Sequence, residues 1–378
     1  MYVAMSLLNL FKKVDKYIGT PLCYLLGLFV RNKIPPSPEK IKKILIIKLI
    51  AMGDILVLLP TIHAVRQNYP NAKIYFLTTS SMKPLLENSP DLDGIITLTI
   101  PPWNFISFIS KLRQYKFDIV LELSHYYRLV SLITFFAGIP HRIGFDISGQ
   151  GRNTLLTKRV KYPDNLHEVE SFGCIAAVIG APLKEKKLIA PTFRTAETDA
   201  QYIETFLQKN NIKKLIAIHP GTSATAKSRR WPTDRFAKLA DDLSERGYQI
   251  AFTGAEEEKP IVEKILSQSN KNHTNLVGQT TLSQLLELFK RAKLVISLDT
   301  GPLHLAASSG TPVLGLYGAN TPVKWGPYGS QHRTIYHGPP TSCTQQQYGR
   351  VCKHPEGYHM QDITVQEVFN TALSMLKK

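Results

Sequence analysis

The sequence predicts an α/β protein built from two Rossmann-like domains facing a cleft. From Lys42 onward, short β-branched runs alternate with helical stretches, the pattern of βαβ units. That series runs twice, interrupted at 181–198 by a stretch carrying Pro182, Pro191 and a Lys-Glu-Lys-Lys cluster. Three apolar runs, Ile44–Leu49, Leu215–Ile218 and Lys293–Leu298, each end in a loop of small residues. In open parallel sheets such strand-end loops point free helix N–H groups at phosphates.

The first series gives strands at Ile44–Lys48, Lys73–Leu77, Gly94–Leu98, Phe117–Leu121 and His141–Phe145. Helices are expected between them at Ile55–Asn68, Met82–Asn88, Phe105–Gln114 and Tyr127–Phe136, with His167–Ile179 closing the domain. The second series gives strands at Lys214–Ile218, Gln249–Thr253, Leu294–Leu298 and Val313–Tyr317. Its helices are expected at Thr233–Arg246, Glu256–Gln268, Leu282–Arg291 and Leu303–Ser309. The chain therefore divides into a leading segment, 1–40, a first domain, 41–185, and a second, 198–360. A last amphipathic helix within 361–378, Val365–Leu376, is expected to cross back to the first domain.

At 378 residues with 43% hydrophobic content the chain can fill two cores, and disorder is excluded. Four cysteines are no disulfide framework and point to a reducing, cytoplasmic compartment. A net charge of +17 favours anionic partners: nucleotide sugars, phosphorylated lipid or a membrane surface. Zinc-finger spacing and aromatic RNA-binding strands are missing from the sequence, so no nucleic-acid partner is expected.

Residues 17–30 are apolar between basic flanks. A spanning helix needs about 20 apolar residues, and Gly19 and Pro21 interrupt this shorter run. No small-residue cleavage site follows it. Two readings stand. The segment lies in the membrane interface with its lysines on anionic lipid, placing the protein peripherally on the inner face of the inner membrane, or it packs on the protein's own first domain.

Among candidate chemical residues, Asp54 follows Gly53 at the end of the first strand. It is either the N-cap of the next helix or a general base, with Gly53 allowing a ligand close to the backbone. The loop 219–231 offers Gly221, Thr222 and Ser223, then Lys227, Arg229 and Arg230, a set suited to a diphosphate. Asp299 and His304 flank the Thr300-Gly301-Pro302 step. Asp91-Leu92-Asp93, between Ser89-Pro90 and Gly94, reads as a turn rather than a metal site. Cys343, Cys352, His354 and His359 fit no tight zinc spacing.

Taken together, these segments resemble the family 9 glycosyltransferases, the lipopolysaccharide heptosyltransferases. The resemblance is carried by the stretch from Ile44 to Asp54, by His219-Pro220-Gly221, by Arg230-Trp231-Pro232 through Phe236, and by Gly278-Gln279-Thr280-Thr281-Leu282. It continues through Asp299 to Ala307, Gly310-Thr311-Pro312 and Trp325-Gly326-Pro327-Tyr328-Gly329.

The resemblance implies the GT-B architecture, with acceptor on the first domain and nucleotide sugar mainly on the second. It implies inverting transfer from ADP-heptose to a lipopolysaccharide-type glycolipid, with no required cofactor or metal. Asp54 then matches the base and Arg229 the cation that meets the diphosphate, with Lys227 as the alternative in that loop. Thr222, Ser223 and Arg230 fall in the phosphate-binding loop, Glu256 at the ribose, and Thr280 and Leu282 near the adenine. Asp299, Thr300, Gly301, Pro302 and His304 match the donor-binding turn. A GT-B transferase using another nucleotide sugar or a sugar-nucleotide epimerase, and a non-catalytic two-domain binding protein, are the rival readings.

Overall fold

Runs of isoleucine, leucine and valine with both faces covered form parallel strands, because each strand must hide an apolar face on either side of its sheet. The computed structural model describes residues 2–99, 104–124, 126–223, 226–339 and 358–377. They fall into two compact units, 1–164 with 168–185, and 165–167 with 186–378.

The first unit opens with helices α1 (Tyr2–Tyr17) and α2 (Gly19–Gly27). Then follow β1 (Lys43–Ile47), α3 (Met52–Asn68), β2 (Lys73–Thr78), β3 (Gly94–Thr97), α4 (Phe105–Gln114) and β4 (Ile119–Glu122). The unit ends with α5 (Arg128–Phe136), β5 (His141–Asp146), β6 (Lys158–Lys161) and α6 (Glu168–Ala177). Its six strands lie in the order β3-β2-β1-β4-β5-β6, all parallel. The order reverses between β1 and β4, which makes the gap beyond their carboxyl ends the expected ligand position.

The second unit contains α7 (Ala196–Lys209), β7 (Leu215–His219), α8 (Thr233–Glu245), β8 (Gln249–Phe252), α9 (Lys259–Gln268) and β9 (Thr274–Asn275). It continues with α10 (Leu282–Arg291), β10 (Leu294–Leu298), α11 (Gly301–Ser308), β11 (Val313–Tyr317), α12 (Pro322–Trp325), β12 (Arg333–Tyr336) and α13 (Val365–Leu376). The parallel order β12-β11-β10-β7-β8-β9 repeats the first sheet's winding and reverses between β7 and β10.

Several expectations need correction. Helix α3 begins at Met52, three residues before its expected start, so Asp54 sits inside its first turn and is not its N-cap. The helix expected at Met82–Asn88 is only a short 3₁₀ turn, Lys83–Leu85, with Pro84 fixing its start. The stretch read as a connection runs into α7, and β6, β9 and β12 are additional edge strands too short to give a clear alternation. The last helix buries Val368, Phe369 and Ala372 in the second unit's core rather than crossing back. Trp231 Nε1 donates to Ile363 O at 3.0 Å and Arg235 to the same carbonyl at 2.6 Å, fixing the approach to α13.

Beneath β4, a buried charge pair joins two elements of the first unit. Glu122 and Arg152 are both fully buried, with Arg152 Nη2 2.9 Å from Glu122 Oε2. Ser131 and Thr134 hydroxyls donate to the same carboxylate, each at 2.5 Å. Removing one member of such a pair leaves an uncompensated buried charge, so Arg152→Ala should lower stability by roughly 3–5 kcal/mol in urea titration. A loss under about 1 kcal/mol would show that Glu122 does not need its partner.

Candidate active site

In the first unit the site is built by the way the chain leaves β1. Leu49 N donates to Ser124 Oγ at 2.8 Å, tying β1's exit to the end of β4. On the other side Thr78 and Thr79 hydroxyls donate to Leu49 O at 3.1 and 2.9 Å. Held between these contacts, the backbone turns through Ala51 at φ 79°, a conformation that favours glycine and stores strain next to the helix start. α3 then opens with Met52 and Gly53 and brings Asp54 round to face Lys48.

Lys48 Nζ lies 2.7 Å from Asp54 Oδ1. The lysine is only 3% exposed, the aspartate 15%. Lys48 also donates to Leu123 O at 3.3 Å and sits 4.9 Å above the Phe172 ring. A cation this deep requires a counter-charge, and the helix N-terminus further favours a carboxylate at Asp54. The outcome is a carboxylate oriented by Lys48 at the topological switch point. Nearby, Tyr162 donates to Glu168 at 2.7 Å, and burial pushes its hydroxyl far above the usual range, so it keeps its proton.

The second unit repeats this logic with different groups. Asp299, at the exit of β10, receives Arg229 from the loop after β7 and Asn320 from the loop after β11. Arg229 Nη1 lies 3.1 Å from Asp299 Oδ2 and donates to Asp299 O at 3.0 Å, and Asn320 Nδ2 donates to Oδ2 at 2.5 Å. Three strand-end loops are thereby fixed around one carboxylate. Thr300 then caps α11, whose first turn carries Gly301 and Pro302.

The glycines here are dictated by contact. A Cβ on Gly221 would lie 2.0 Å from Glu258 Oε1, and one on Gly278, at φ 70°, 2.1 Å from Glu256 Oε2. Glu258 is therefore the acid folded against the loop after β7, 3.6 Å from His219 Nε2, while Glu256 is largely exposed beside Gly278. Arg230 Nε donates to buried Thr222 Oγ1 at 3.0 Å, and Ser223 and Lys227 are exposed in the same loop. Half-buried Thr280 precedes the Thr281–Gln284 capping box that starts α10 at Leu282.

Sequence reasoning missed four of these residues. Lys48 was read as part of an apolar strand, although it is the lone charge in that run. Ser124, Glu258 and Asn320 carry no local signal, because each acts across loops distant in sequence. Asp93 accepts from Lys73 Nζ at 2.8 Å, Ile74 N at 2.9 Å and Arg66 Nη2 at 2.5 Å. Against the opposing effect of burial, these bonds hold its carboxyl at about 2, in keeping with a turn. Cys343, Cys352 and His354 lie outside the described residues, and His359 pairs with Asp362 at 3.1 Å.

Two doubly wound sheets of the same winding, each with polar strand-end loops at its switch point, make up the GT-B architecture. A family model described as glycosyltransferase family 9 (heptosyltransferase) matches residues 105–353, and the chain belongs to that family. It is 27% identical over 307 residues to the lipopolysaccharide core heptosyltransferase OpsX of Haemophilus influenzae, a match covering 80% of this chain and 86% of that protein. A solved structure described as E. coli ADP-heptose lps heptosyltransferase II superposes with TM-score 0.70 at 25% identity, covering 89% of this chain and 98% of the other. A family 9 structure from Veillonella parvula has TM-score 0.74 at 22% identity, covering 89% and 97%, and shares the fold.

Two buried histidines give the second unit a pH signature. Burial, with smaller contributions from His167, Arg229 and His332, holds His304 down to about 3, and burial holds His332 down to about 4. Both are neutral in the fold, whereas an unfolded histidine takes up a proton near 6.5. Below that value the unfolded chain binds more protons, so stability is full above about 6.5 and falls as pH drops toward the folded values. Thermal melts from pH 7 to 5 should show a falling midpoint, with a shallower fall in His304→Leu. An unchanged slope in the variant would mean His304 protonates freely in the fold.

Proposed function

We propose that this protein is an inverting transferase that moves heptose from ADP-heptose to a lipopolysaccharide-type core acceptor, with Asp54 as the general base. The single observation that carries this reading is the Lys48–Asp54 pair at the switch point of the first unit: a carboxylate oriented by a buried lysine at the strand end where open sheets bind ligands. The named activities of the family relatives supply the donor and acceptor classes.

The acceptor hydroxyl donates its proton to Asp54 while its oxygen attacks the anomeric carbon, and the bond to the diphosphate breaks from the opposite face. The pair with Lys48 holds the Asp54 carboxylate in one orientation before the reaction. As it becomes neutral, the lysine's contacts to Leu123 O and the Phe172 ring keep the cation in place. In the second unit, Arg229 and the N–H groups at Thr300–Gly301 stabilise the charge that builds on the departing ADP. Gly221, Thr222, Ser223, Lys227 and Arg230 form the phosphate loop, Glu256 meets the ribose, and Thr280 and Leu282 flank the adenine. Asp299 holds Arg229 for that task, with Pro302 and His304 shaping the start of α11 beside it. No metal enters these steps. An acceptor of this kind is an amphiphile, and in this reading the enzyme works at the cytoplasmic side of an anionic membrane.

Incubating the purified protein with a truncated core glycolipid and a panel of ADP-, UDP- and GDP-sugars tests the donor and reaction together. Mass spectrometry should show one added heptose and stoichiometric ADP release with ADP-heptose, and inverted anomeric configuration by NMR. Transfer from a UDP-sugar instead, or binding without ADP release, would overturn the reading.

A further inference from the structure

The leading helices α1 and α2 are pinned to the first unit by one face only. Asp15 Oδ1 accepts from Leu129 N at 2.8 Å and Oδ2 from Arg128 N at 3.1 Å, so it caps α5 from a distant part of the chain. Arg128 Nε reaches Thr20 Oγ1 at 3.0 Å, and Thr154 Oγ1 donates to Cys23 O at 2.7 Å. Phe11 and Cys23 are buried beneath these bonds. The expectation that this segment packs on its own domain accounts for that face.

It does not account for the other. Leu10, Val14 and Tyr17 recur at i, i+4 and i+7 of α1, Ile18 follows at the start of α2, and the four are 44–68% exposed. Tyr24, Leu25, Leu28, Phe29 and Ile34 continue the exposed surface, the last three at 78–89%. Nine of the thirteen exposed large apolar side chains among the described residues thus lie in 25 consecutive positions. An apolar concentration of this size on a water-facing surface marks an interaction site. The charges beside it have one sign: Lys12, Lys13, Lys16, Arg31 and Lys33 are exposed, and the sole acid of the stretch, Asp15, is buried in the cap.

We propose that this face is a membrane-docking surface, with Leu28, Phe29 and Ile34 entering the headgroup layer of an anionic bilayer and the five cations meeting its phosphates. Apolar burial and lipid charge act together in interfacial segments of this kind, and either alone binds weakly. Charge complementarity decides against a second copy of the chain, because a two-fold contact would set five cations against five with no acid between them. No helix among the described residues is long and apolar enough to cross a membrane, so the docking is interfacial. The proposal shares with the proposed reaction only the lipid nature of the acceptor, and its test uses neither donor nor acceptor, so the two can fail separately.

Sedimentation of the full-length protein with vesicles of phosphatidylglycerol and phosphatidylethanolamine (1:3), at 0.1 M salt, measures it. The protein should pellet with these vesicles and stay in solution with phosphatidylcholine vesicles. The variant L28E/F29E/I34E should lower the bound fraction at least tenfold with an unchanged circular dichroism spectrum and melting midpoint, since those side chains touch little of the fold. K12Q/K13Q/K16Q should lower the preference for the anionic vesicles while keeping the same fold. The proposal is overturned if the wild-type protein stays in solution with anionic vesicles, or if the triple glutamate variant pellets as well as the wild type. It is equally overturned if that variant's only change is loss of self-association in light scattering.

Discussion

The structure of the first unit depends on one pair of opposite charges at the end of its first strand. A lysine following the apolar run Ile44–Ile47 has nowhere to place its ammonium except the gap where the sheet's order reverses. Asp54, delivered there by the first turn of α3, is what makes that burial tolerable. The surrounding contacts serve the same geometry: Ser124 fixes the exit of β1, Thr78 and Thr79 hold Leu49, and Ala51 absorbs the turn in a strained backbone. The carboxylate proposed as the base is therefore also the group that keeps Lys48 from being an unpaired buried charge.

The second unit solves the analogous problem with an acid at the centre. Asp299 gathers Arg229 and Asn320, so loops following three different strands are set by one carboxylate. Arginine suits that position because a single guanidinium can pair with Asp299 through one nitrogen and present others to a diphosphate. Glu258, folded over Gly221, gives the neighbouring loop its shape. His304, buried within α11 and held neutral by that burial, adds bulk and no charge to the helix's first turns. Polar groups at both switch points are thus first structural necessities and then chemical tools.

Much of this was legible in the sequence, for identifiable reasons. Buried parallel strands are continuous apolar runs, so β1, β7, β10 and β11 announced themselves, and the small residues after them marked the ligand-facing loops. The edge strands β6, β9 and β12 did not, because a short edge strand with half its surface in water lacks a run long enough to notice. The start of α3 was misplaced because Ala51 caps it without a side-chain bond, leaving Asp54 as the nearest residue with a cap's chemistry. The last helix gave an amphipathic stripe but no indication of which core it faced. Lys48, Glu258 and Asn320 were hidden for a common reason: their roles come from partners brought near by the sheet, and spacing along the chain does not encode them.

The central claim, that Asp54 is the base and not merely the counter-charge of Lys48, is tested most directly by measuring kcat and ADP affinity together in Asp54→Asn. The amide keeps the size and a hydrogen-bond acceptor for Lys48 but cannot take a proton. Loss of a general base should lower kcat by about 10²–10⁴-fold, with ADP affinity, which the proposal assigns to the other unit, unchanged. A variant that turns over within a few-fold of the wild type would contradict the account.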